Sequence, residues 1–349
     1  MIHVGDCRTI LETLDAGSVR CCVTSPPYFG LRDYGHDGQI GLEKTPDAYV
    51  AELVAVFREV RRVLADDGTL WLNLGDSYAG SGKGAGAEGS KQSTNKGSLS
   101  VGTWRGQEGG AAAPASVAVT MLRDAETGLK PKDLIGIPWR VAFALQADGW
   151  YIRSDIIWAK PNSMPESVRD RPTKSHEHLF LLAKSERYFY DADAVAEEAS
   201  TGYGSEFHTG KTGGHQLGRA SKQPRFGGTK YGDSDDPMHA TKSGNEYAPN
   251  GLRNKRDVWT ITTQPFPGAH FAVMPEALVE PCVLAGSERG DTILDPFAGS
   301  GTVGVVAYRH GREFVGVELN EEYAAMTRAR VSETEVTFAF STPAPRGGT

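Results

Sequence analysis

The sequence lacks the features that mark several common classes of protein. Its four cysteines, Cys7, Cys21, Cys22 and Cys282, show no CxxC spacing, so the pattern indicates neither a zinc site nor a disulfide framework. No apolar run approaches the roughly 18 residues that a membrane span requires. The segment 1–6 lacks the charged and apolar regions of a signal peptide. We therefore expect a reduced, soluble, cytoplasmic protein with no membrane partner and no bound metal.

An excess of basic residues is also missing. The chain has 37 Lys and Arg against 44 Asp and Glu, a formal charge of −7. This balance excludes a uniformly basic nucleic-acid binder, although a locally basic groove is compatible with it. Residues 200–256 carry nine Lys/Arg against five Asp/Glu, which predicts a polar, basic insertion. The length of 349 residues predicts one large α/β domain or a catalytic core with an inserted module.

Ordered and glycine-rich stretches alternate along the chain. Hydrophobic periodicity predicts strands at 19–24, 69–74, 150–159, 179–184, 292–294 and 314–318, and helices at 46–64, 134–146 and 323–332. Ten glycines lie in 79–118, which predicts a mobile surface loop. The tail after Phe340 is predicted to be disordered.

A glycine-rich turn follows the predicted strand at 292–294. Residues 295–304 are Asp-Pro-Phe-Ala-Gly-Ser-Gly-Thr-Val-Gly, and the next strand ends in Glu318. Glycines allow the backbone to approach a ligand closely, and the start of the following helix offers free N–H groups. An acid at the tip of the next strand suits the two hydroxyls of a ribose. The pattern therefore predicts a nucleoside-containing cofactor.

The same turn fits the dinucleotide pattern GxGxxG, so an NAD dehydrogenase is one alternative. Asp295 argues against it, because a carboxylate at the strand end repels a pyrophosphate and attracts an amine or a sulfonium. Glu318 also falls early for the dinucleotide spacing of about 20 residues. S-adenosyl-L-methionine, which has an amine and a sulfonium but no phosphate, suits the turn better. A tight turn with glycines needed only for packing is the second alternative.

The strand at 19–24 ends in an unusual pentapeptide, Thr24-Ser25-Pro26-Pro27-Tyr28. Each proline fixes its own backbone and lacks an N–H, so the turn is stiff and its carbonyls point outward. Outward carbonyls and the Ser25 hydroxyl can accept hydrogen bonds from an exocyclic amino group, and the Tyr28 ring can stack on a planar base. A diproline turn beside a core tyrosine is the bland alternative.

Together the two patterns resemble the amino-group DNA methyltransferases, which make N4-methylcytosine or N6-methyladenine. The order is similar to the beta-type arrangement of this family, in which the catalytic motif precedes the cofactor motif and a target-recognition region lies between them. Further segments look like those of the family: Gly5-Asp6-Cys7, 156–162, 175–178 and 270–275.

The resemblance implies a role for each matching residue. The catalytic residues would be Ser25, Pro26, Pro27 and Tyr28. The residues binding S-adenosyl-L-methionine would be Asp6, Phe271, Pro275, Asp295, Phe297, Gly299, Gly301, Thr302 and Glu318. The residues on the side of the target base would be Lys160, Asn162 and His176. The implied partner is double-stranded DNA, and a cognate restriction endonuclease and a homodimer are open partners.

The resemblance also implies the architecture. We expect an α/β fold with a doubly wound, seven-stranded, Rossmann-like methyltransferase sheet in permuted order, with flexible insertions. Its catalytic half would comprise 1–78 and 119–199, its target-recognition region 200–256, its cofactor half 257–340 and its tail 341–349.

Serine before the diproline bears on the base that is modified. Within the family this form resembles cytosine-N4 enzymes more often than adenine-N6 enzymes, which usually carry Asp. We therefore favour cytosine N4, with adenine N6 as the alternative. Methylation of an RNA base or a protein glutamine, and a non-catalytic DNA-binding role, are more distant alternatives.

Four residues, Cys282, Trp158, His176 and His178, have plainer interpretations. Pro281-Cys282 matches the pair that C5-cytosine methyltransferases use, but its apolar helical surroundings predict a core cysteine. Trp158 is predicted to lie in the core. His176 and His178 have no further ligands at metal spacing and are predicted to be structural or base-contacting.

Overall fold

The computed structural model describes residues 1–31, 36, 38–79, 128–130, 132–198, 252–264 and 273–341. The predicted loop 79–118 beyond Ala79, most of 200–256, Phe271 and the tail beyond Ser341 lie outside the described residues. The chain forms two compact units, one of them Val195–Lys255 and the other the rest of the chain.

Ten strands form among the described residues. In chain order they are β1 (Ile2–Val4), β2 (Val19–Thr24), β3 (Leu64–Leu74), β4 (Tyr151–Ala159), β5 (His176–Ala183), β6 (Glu197–Glu198), β7 (Leu252–Arg253), β8 (Val258–Thr260), β9 (Thr292–Asp295) and β10 (Glu313–Glu318). In the smaller unit, β6 and β7 pair antiparallel, and Arg253 forms an ion pair with Glu197 at 3.0 Å.

The other eight strands form a single sheet in the order β1-β10-β9-β2-β3-β5-β4-β8. Every neighbouring pair is parallel except the two that involve β5, which runs antiparallel to β3 and β4. The predicted fold class and permuted order are confirmed, because β9 lies between β2 and β10. The sheet has eight strands rather than the predicted seven, because β8 pairs with β4 and is too short to show a periodic pattern.

Helices cover both faces of the sheet, as a doubly wound fold requires. They are α1 (Cys7–Thr13), α2 (Pro46–Val63), α3 (Ile137–Ala147), α4 (Glu276–Gly286), α5 (Thr302–Arg309) and α6 (Glu321–Ser341). Adjacent residues of β2 illustrate the two faces. Cys22 joins the core under α1, α2 and α3, whereas the Cys21 Sγ lies against Gly286 of α4. None of the helices in the described part of the chain is long and apolar enough to cross a bilayer.

Helix α2 shows how the local sequence sets an element. The Thr45 Oγ1 accepts a hydrogen bond from the Ala48 N–H at 3.1 Å, and Pro46 occupies the first turn. Its apolar stripe, from Tyr49 to Val60, is fully buried against the sheet. The helix ends at Val63, one residue before the predicted end, because Leu64 already belongs to β3.

Four predicted boundaries were wrong by three residues or more. Strand β3 begins at Leu64 rather than at 69, because its pairing with β2 already starts with Leu64 opposite Val19. Strand β5 begins at His176 rather than at 179, because His176–His178 pair with β4 although they are polar. Helix α3 begins at Ile137 rather than at 134, because Gly136 caps it with a left-handed φ of 77°. Helix α6 continues to Ser341, nine residues beyond the predicted end at 332.

Candidate active site

One cavity of about 370 Å³ lies at the edge of the sheet where β10, β9, β2 and β3 end. Because β5 runs antiparallel to β3, its first residues reach the same edge, as does the end of β4. The cavity brings both predicted motifs together. Its lining includes Asp6, Ser25, Pro26, Pro27, Tyr28, Asn73, Trp158, Lys160, Glu177, Asp295, Phe297, Gly299, Thr302 and Glu318.

Asp295 is the most deeply buried acid of the cavity, with 2% of its surface exposed. Its Oδ1 accepts hydrogen bonds from the Thr24 hydroxyl at 2.6 Å and from the Phe297 N–H at 3.0 Å. Burial raises the pKa of Asp295 to about 7 despite these two donors. A carboxyl group in this position favours a cationic ligand, because a nearby positive charge offsets the cost of its ionisation.

Glu318 closes the glycine turn from the next strand. Its two carboxylate oxygens accept hydrogen bonds from the Gly299 N–H at 2.8 Å and from the Asn320 N–H at 2.9 Å. Burial raises the pKa of Glu318, and these two hydrogen bonds oppose the rise. Each oxygen keeps a further lone pair, so the group can still accept hydrogen bonds from a ligand in the cavity.

Glycine is required at 299, 301 and 304 for different structural reasons. Gly299 and Gly301 have φ values of 52° and 78°, where other residues are strained. A Cβ on Gly301 would lie 2.6 Å from the Thr327 Cγ2, and one on Gly304 would lie 2.6 Å from the Phe314 ring. Of the three, Gly299 alone lines the cavity. Gly301 and Gly304 therefore serve close packing, which accounts for the match to the dinucleotide pattern.

Asp6 is held by an arginine of its own helix. Its carboxylate caps α1 by accepting from the Arg8 N–H at 2.9 Å, and it also accepts from the Arg8 guanidinium at 2.6 Å. The hydrogen bonds from Arg8 lower the pKa of Asp6. Asp6 thus brings a fixed, ionised carboxylate to the cavity wall beside Gly5.

The Ser-Pro-Pro-Tyr turn is held by contacts with α2 and with the backbone at Gly75. The Tyr49 hydroxyl on α2 donates to the Pro27 carbonyl at 2.8 Å. The Tyr28 ring lies close to the backbone at Gly75, where an added Cβ would meet the ring Cδ2 at 2.8 Å and the Cε2 closer still. Pro26 is buried in the cavity wall. These contacts add to the restraint that the two prolines place on the backbone of the turn.

The Tyr28 hydroxyl is the centre of a polar network. It donates to the Glu177 Oε2 at 2.7 Å and accepts from the Asn73 Nδ2 at 2.7 Å. The Ser25 Oγ lies 3.4 Å from both the Tyr28 hydroxyl and the Asn73 Nδ2. Burial, reinforced by the neighbouring Glu177 charge, raises the pKa of Tyr28 well above its usual range, so the phenol stays protonated.

A buried ion pair completes this side of the cavity. The Lys160 ammonium pairs with the Glu177 Oε1, and the two side chains are 16% and 15% exposed. Burial by itself raises the pKa of Glu177, but the Lys160 charge and the hydrogen bonds from Asn73 and Tyr28 bring it below the usual value. The Lys160 Nζ also lies 4.0 Å from the centre of the Trp158 ring. Trp158 is buried, as predicted, and it also lines the cavity.

Several predicted site residues lie elsewhere. Asn162 does not line the cavity, because its amide exchanges two hydrogen bonds of 2.9 Å with the backbone of Thr263. His176 is exposed and packs edge-on to His178 with ring centres 5.3 Å apart. Pro275 is buried at the start of α4, and its neighbours Val273 and Met274 line the cavity instead.

The structure adds residues that sequence reasoning missed. Asn73 and Gly75 were not singled out, although an Asn-Leu-Gly-Asp stretch at the end of a strand is a usable signal. Cys282 lies fully buried in α4, in agreement with its predicted core position. Within the described ranges, no group of three His, Cys, Asp or Glu side chains is arranged to hold a metal ion.

Comparison with known proteins identifies relatives over nearly the whole chain. A family model described as DNA methylase matches residues 19–329. The Type II methyltransferase M.Cfr9I of Citrobacter freundii is 46% identical over 334 residues, which cover 95% of this chain and 88% of the relative. M.SmaI of Serratia marcescens is 46% identical over 330 residues, which cover 95% of this chain and 90% of the relative.

Solved structures share the fold. The PvuII DNA methyltransferase, named cytosine-N4-specific, has a TM-score of 0.56 at 16% identity and covers 98% of this chain and 93% of its own. A putative DNA modification methylase from Thermus thermophilus, complexed with S-adenosyl-L-methionine, has a TM-score of 0.50 at 22% identity over 95% of this chain and 93% of its own.

Proposed function

This chain belongs to the DNA methylase family, and on that premise we propose that it transfers a methyl group from S-adenosyl-L-methionine to N4 of a cytosine flipped out of double-stranded DNA. The membership confirms the resemblance to the amino-group DNA methyltransferases. The protein is thus a DNA amino-methyltransferase, and the choice of base is the part that we propose.

The residues at the ends of β9 and β10 fit the proposed cofactor. S-adenosyl-L-methionine supplies an electrophilic methyl group on a sulfonium. The buried Asp295, whose pKa is about 7, would hold its cationic amino-acid end, because an adjacent cation favours the ionised carboxylate. Glu318 would accept hydrogen bonds from the ribose hydroxyls. Asp6, fixed by Arg8, would lie on the adenine side.

The residues at the end of β2 fit the proposed base. The Pro26 carbonyl and the Ser25 hydroxyl would accept the two hydrogens of the amino group and orient its nitrogen. Orientation of this kind supplies several kcal/mol of a barrier. The Tyr28 ring, pressed against Gly75, would stack on the base. A base must leave the duplex to reach such a pocket.

One observation carries this proposal: Ser25-Pro26-Pro27-Tyr28 and the Asp295 turn line the same cavity. Cytosine is favoured over adenine N6 because Ser25 occupies the position where adenine-specific members of the family usually carry Asp. We further propose that 200–256 recognises the target sequence and that the protein, in the cytoplasm and as a homodimer, modifies sites for a cognate restriction endonuclease. The names of the Type II relatives support the last point.

The test is to incubate duplex DNA with the protein and methyl-labelled S-adenosyl-L-methionine and to identify the labelled nucleoside by mass spectrometry. N4-methylcytosine supports the proposal, and the Tyr28→Ala variant serves as the inactive control. N6-methyladenine would overturn the choice of base. An absence of labelled deoxynucleosides, with cofactor binding intact, would favour an RNA base or a protein glutamine as substrate.

A further inference from the structure

Four polar side chains, two in the Ser-Pro-Pro-Tyr turn and two beside it, form a hydrogen-bond network with a defined direction. The Asn73 Nδ2 lies 3.0 Å from the Glu177 Oε2, so the amide nitrogen and not the amide oxygen must face that carboxylate. An amide nitrogen only donates. Its hydrogen bond to the Tyr28 hydroxyl therefore leaves that hydroxyl to donate its own proton to Glu177.

The direction extends to Ser25. The Ser25 hydroxyl donates toward the Tyr28 oxygen at 3.4 Å, which is long, but such bonds commonly tighten when a substrate binds. The order of donation is thus Ser25 to Tyr28 to Glu177. This series of hydrogen bonds starts at the Ser25 hydroxyl, which is proposed to meet the amino group of the base, and ends at the mostly buried Glu177 carboxylate.

Glu177, the last group in this series of hydrogen bonds, is able to take up a proton. Glu177 is paired with Lys160, and both are mostly buried, so a negative charge is maintained where solvent is scarce. An exocyclic amine that gains a methyl group becomes positively charged and must lose a proton. Serine is not itself a base, unlike the Asp that adenine-N6 members of the family usually carry at this position, so a proton acceptor must come from elsewhere.

We propose that Glu177 is the terminal proton acceptor of the methylation reaction, reached through Ser25 and Tyr28; this rests on the proposed function. As the nitrogen–methyl bond forms, the methyl–sulfur bond breaks and the nitrogen becomes cationic. One N–H bond then breaks and its proton goes to the Ser25 Oγ, while the Ser25 proton goes to Tyr28 and the Tyr28 proton goes to Glu177. The nitrogen keeps the electron pair, and Glu177 later releases the proton to solvent.

The experiment measures single-turnover methylation of saturating duplex DNA by the wild type and by Glu177→Gln, Tyr28→Phe and the double variant. Each single variant breaks the relay but keeps a side chain of similar shape. General base catalysis contributes about 10²–10⁴-fold, so we expect each to lose at least about tenfold. The double variant should be no slower than the slower single variant, because either substitution alone already interrupts the proton relay. Affinity for S-adenosyl-L-methionine, measured by calorimetry, should stay within about twofold and reports correct folding.

A rescue separates proton transfer from mere support of the tyrosine. In Ser25→Asp/Glu177→Gln, a carboxylate stands next to the amino group itself and replaces the relay, so the rate should recover by about tenfold or more over Glu177→Gln. If Glu177 only fixes the Tyr28 ring, this substitution cannot restore the rate.

The outcomes distinguish the relay from the function on which it rests. A wild-type rate in Glu177→Gln overturns the relay, as do losses that multiply in the double variant or a failed rescue, while N4-methylcytosine as product leaves the function standing. A wild-type product of N6-methyladenine overturns the base assignment, and the same variants then test the relay on that product. No methylated nucleoside from the wild type overturns both.

Discussion

Thr24 and Asp295 lie 271 positions apart in the chain, and a hydrogen bond of 2.6 Å joins their side chains in the buried centre of the sheet. Thr24 immediately precedes the Ser-Pro-Pro-Tyr turn, and Asp295 begins the glycine turn. The contact follows from the parallel pairing of β2 with β9. It connects the side of the cavity proposed for the base directly to the side proposed for the cofactor.

Cofactor affinity should depend on pH through Asp295. A proton on this carboxyl, whose pKa in the free protein is about 7, competes with the cationic end of the cofactor. Affinity should therefore fall as the pH drops below about 7, by up to about tenfold per pH unit. Titration calorimetry between about pH 6 and pH 8 measures the slope.

The control for this slope is a pair of variants. Asp295→Asn should bind weakly and without the pH dependence, whereas Glu318→Gln should bind weakly but keep it. If the cofactor affinity of Asp295→Asn still changed with pH, the titrating group would be one other than Asp295.

The same carboxyl should reduce stability at neutral and higher pH. The folded protein holds its proton up to about pH 7, whereas the unfolded chain loses it near pH 4. The stability contribution is therefore lost as pH rises through this window, by about 4 kcal/mol at most for a shift of this size. Asp295→Asn keeps an acceptor for Thr24 without the charge. Its melting temperature should exceed that of the wild type at about pH 8 but not at about pH 4, and equal melting curves at both values would contradict this.

Gly75→Ala should abolish methylation and spare cofactor binding. The new Cβ would overlap the Tyr28 ring, so the ring could not keep its present position. Methylation assays and cofactor titration on the same preparation measure the two effects. A loss of cofactor affinity as large as the loss of rate would show that Tyr28 is not confined to the base side.

Gly304→Ala should lower stability rather than cofactor affinity. Its Cβ would lie 2.6 Å from the Phe314 ring, and overpacking of this kind costs about 1–3 kcal/mol. Urea unfolding measures the loss, and Gly304→Ala/Phe314→Leu should recover part of it. If affinity for the cofactor fell while stability held, Gly304 would belong to the ligand site after all.

Much of the fold was predictable because its signals are local. The apolar run of β2, the stripe of α2 and the strand at Asp295 each carry a clear local signal, and the structure places all three elements within one residue of the predicted bounds. The start of β5 was missed because His176 and its neighbours are polar and show no alternation, although they are paired on the sheet. That boundary depends on pairing with β4 across the sheet, and a local sequence pattern carries no information about such pairing.

The site was predictable in part for a similar reason. Ser25 and Asp295 stand in rare local motifs, and the family resemblance implied that they meet. Glu177 reaches Tyr28 only because β5 runs opposite to β3, a fact that no short window of sequence expresses. Asn162 was expected on the side of the target base, and that role stays a prediction. A residue just past a strand end can also hold a neighbouring loop, as Asn162 does at Thr263.

The pairing of β2 with β9 also governs when the protein can complete its fold. Strand β2 is made about 270 residues before β9, the strand that covers one of its edges. Long-range pairings of this kind fold slowly, and an uncovered strand edge is prone to pair with other chains. A chain interrupted before β9 would therefore expose the edge of β2 beside an incomplete cavity, and we expect such fragments to aggregate rather than to bind DNA as partial enzymes.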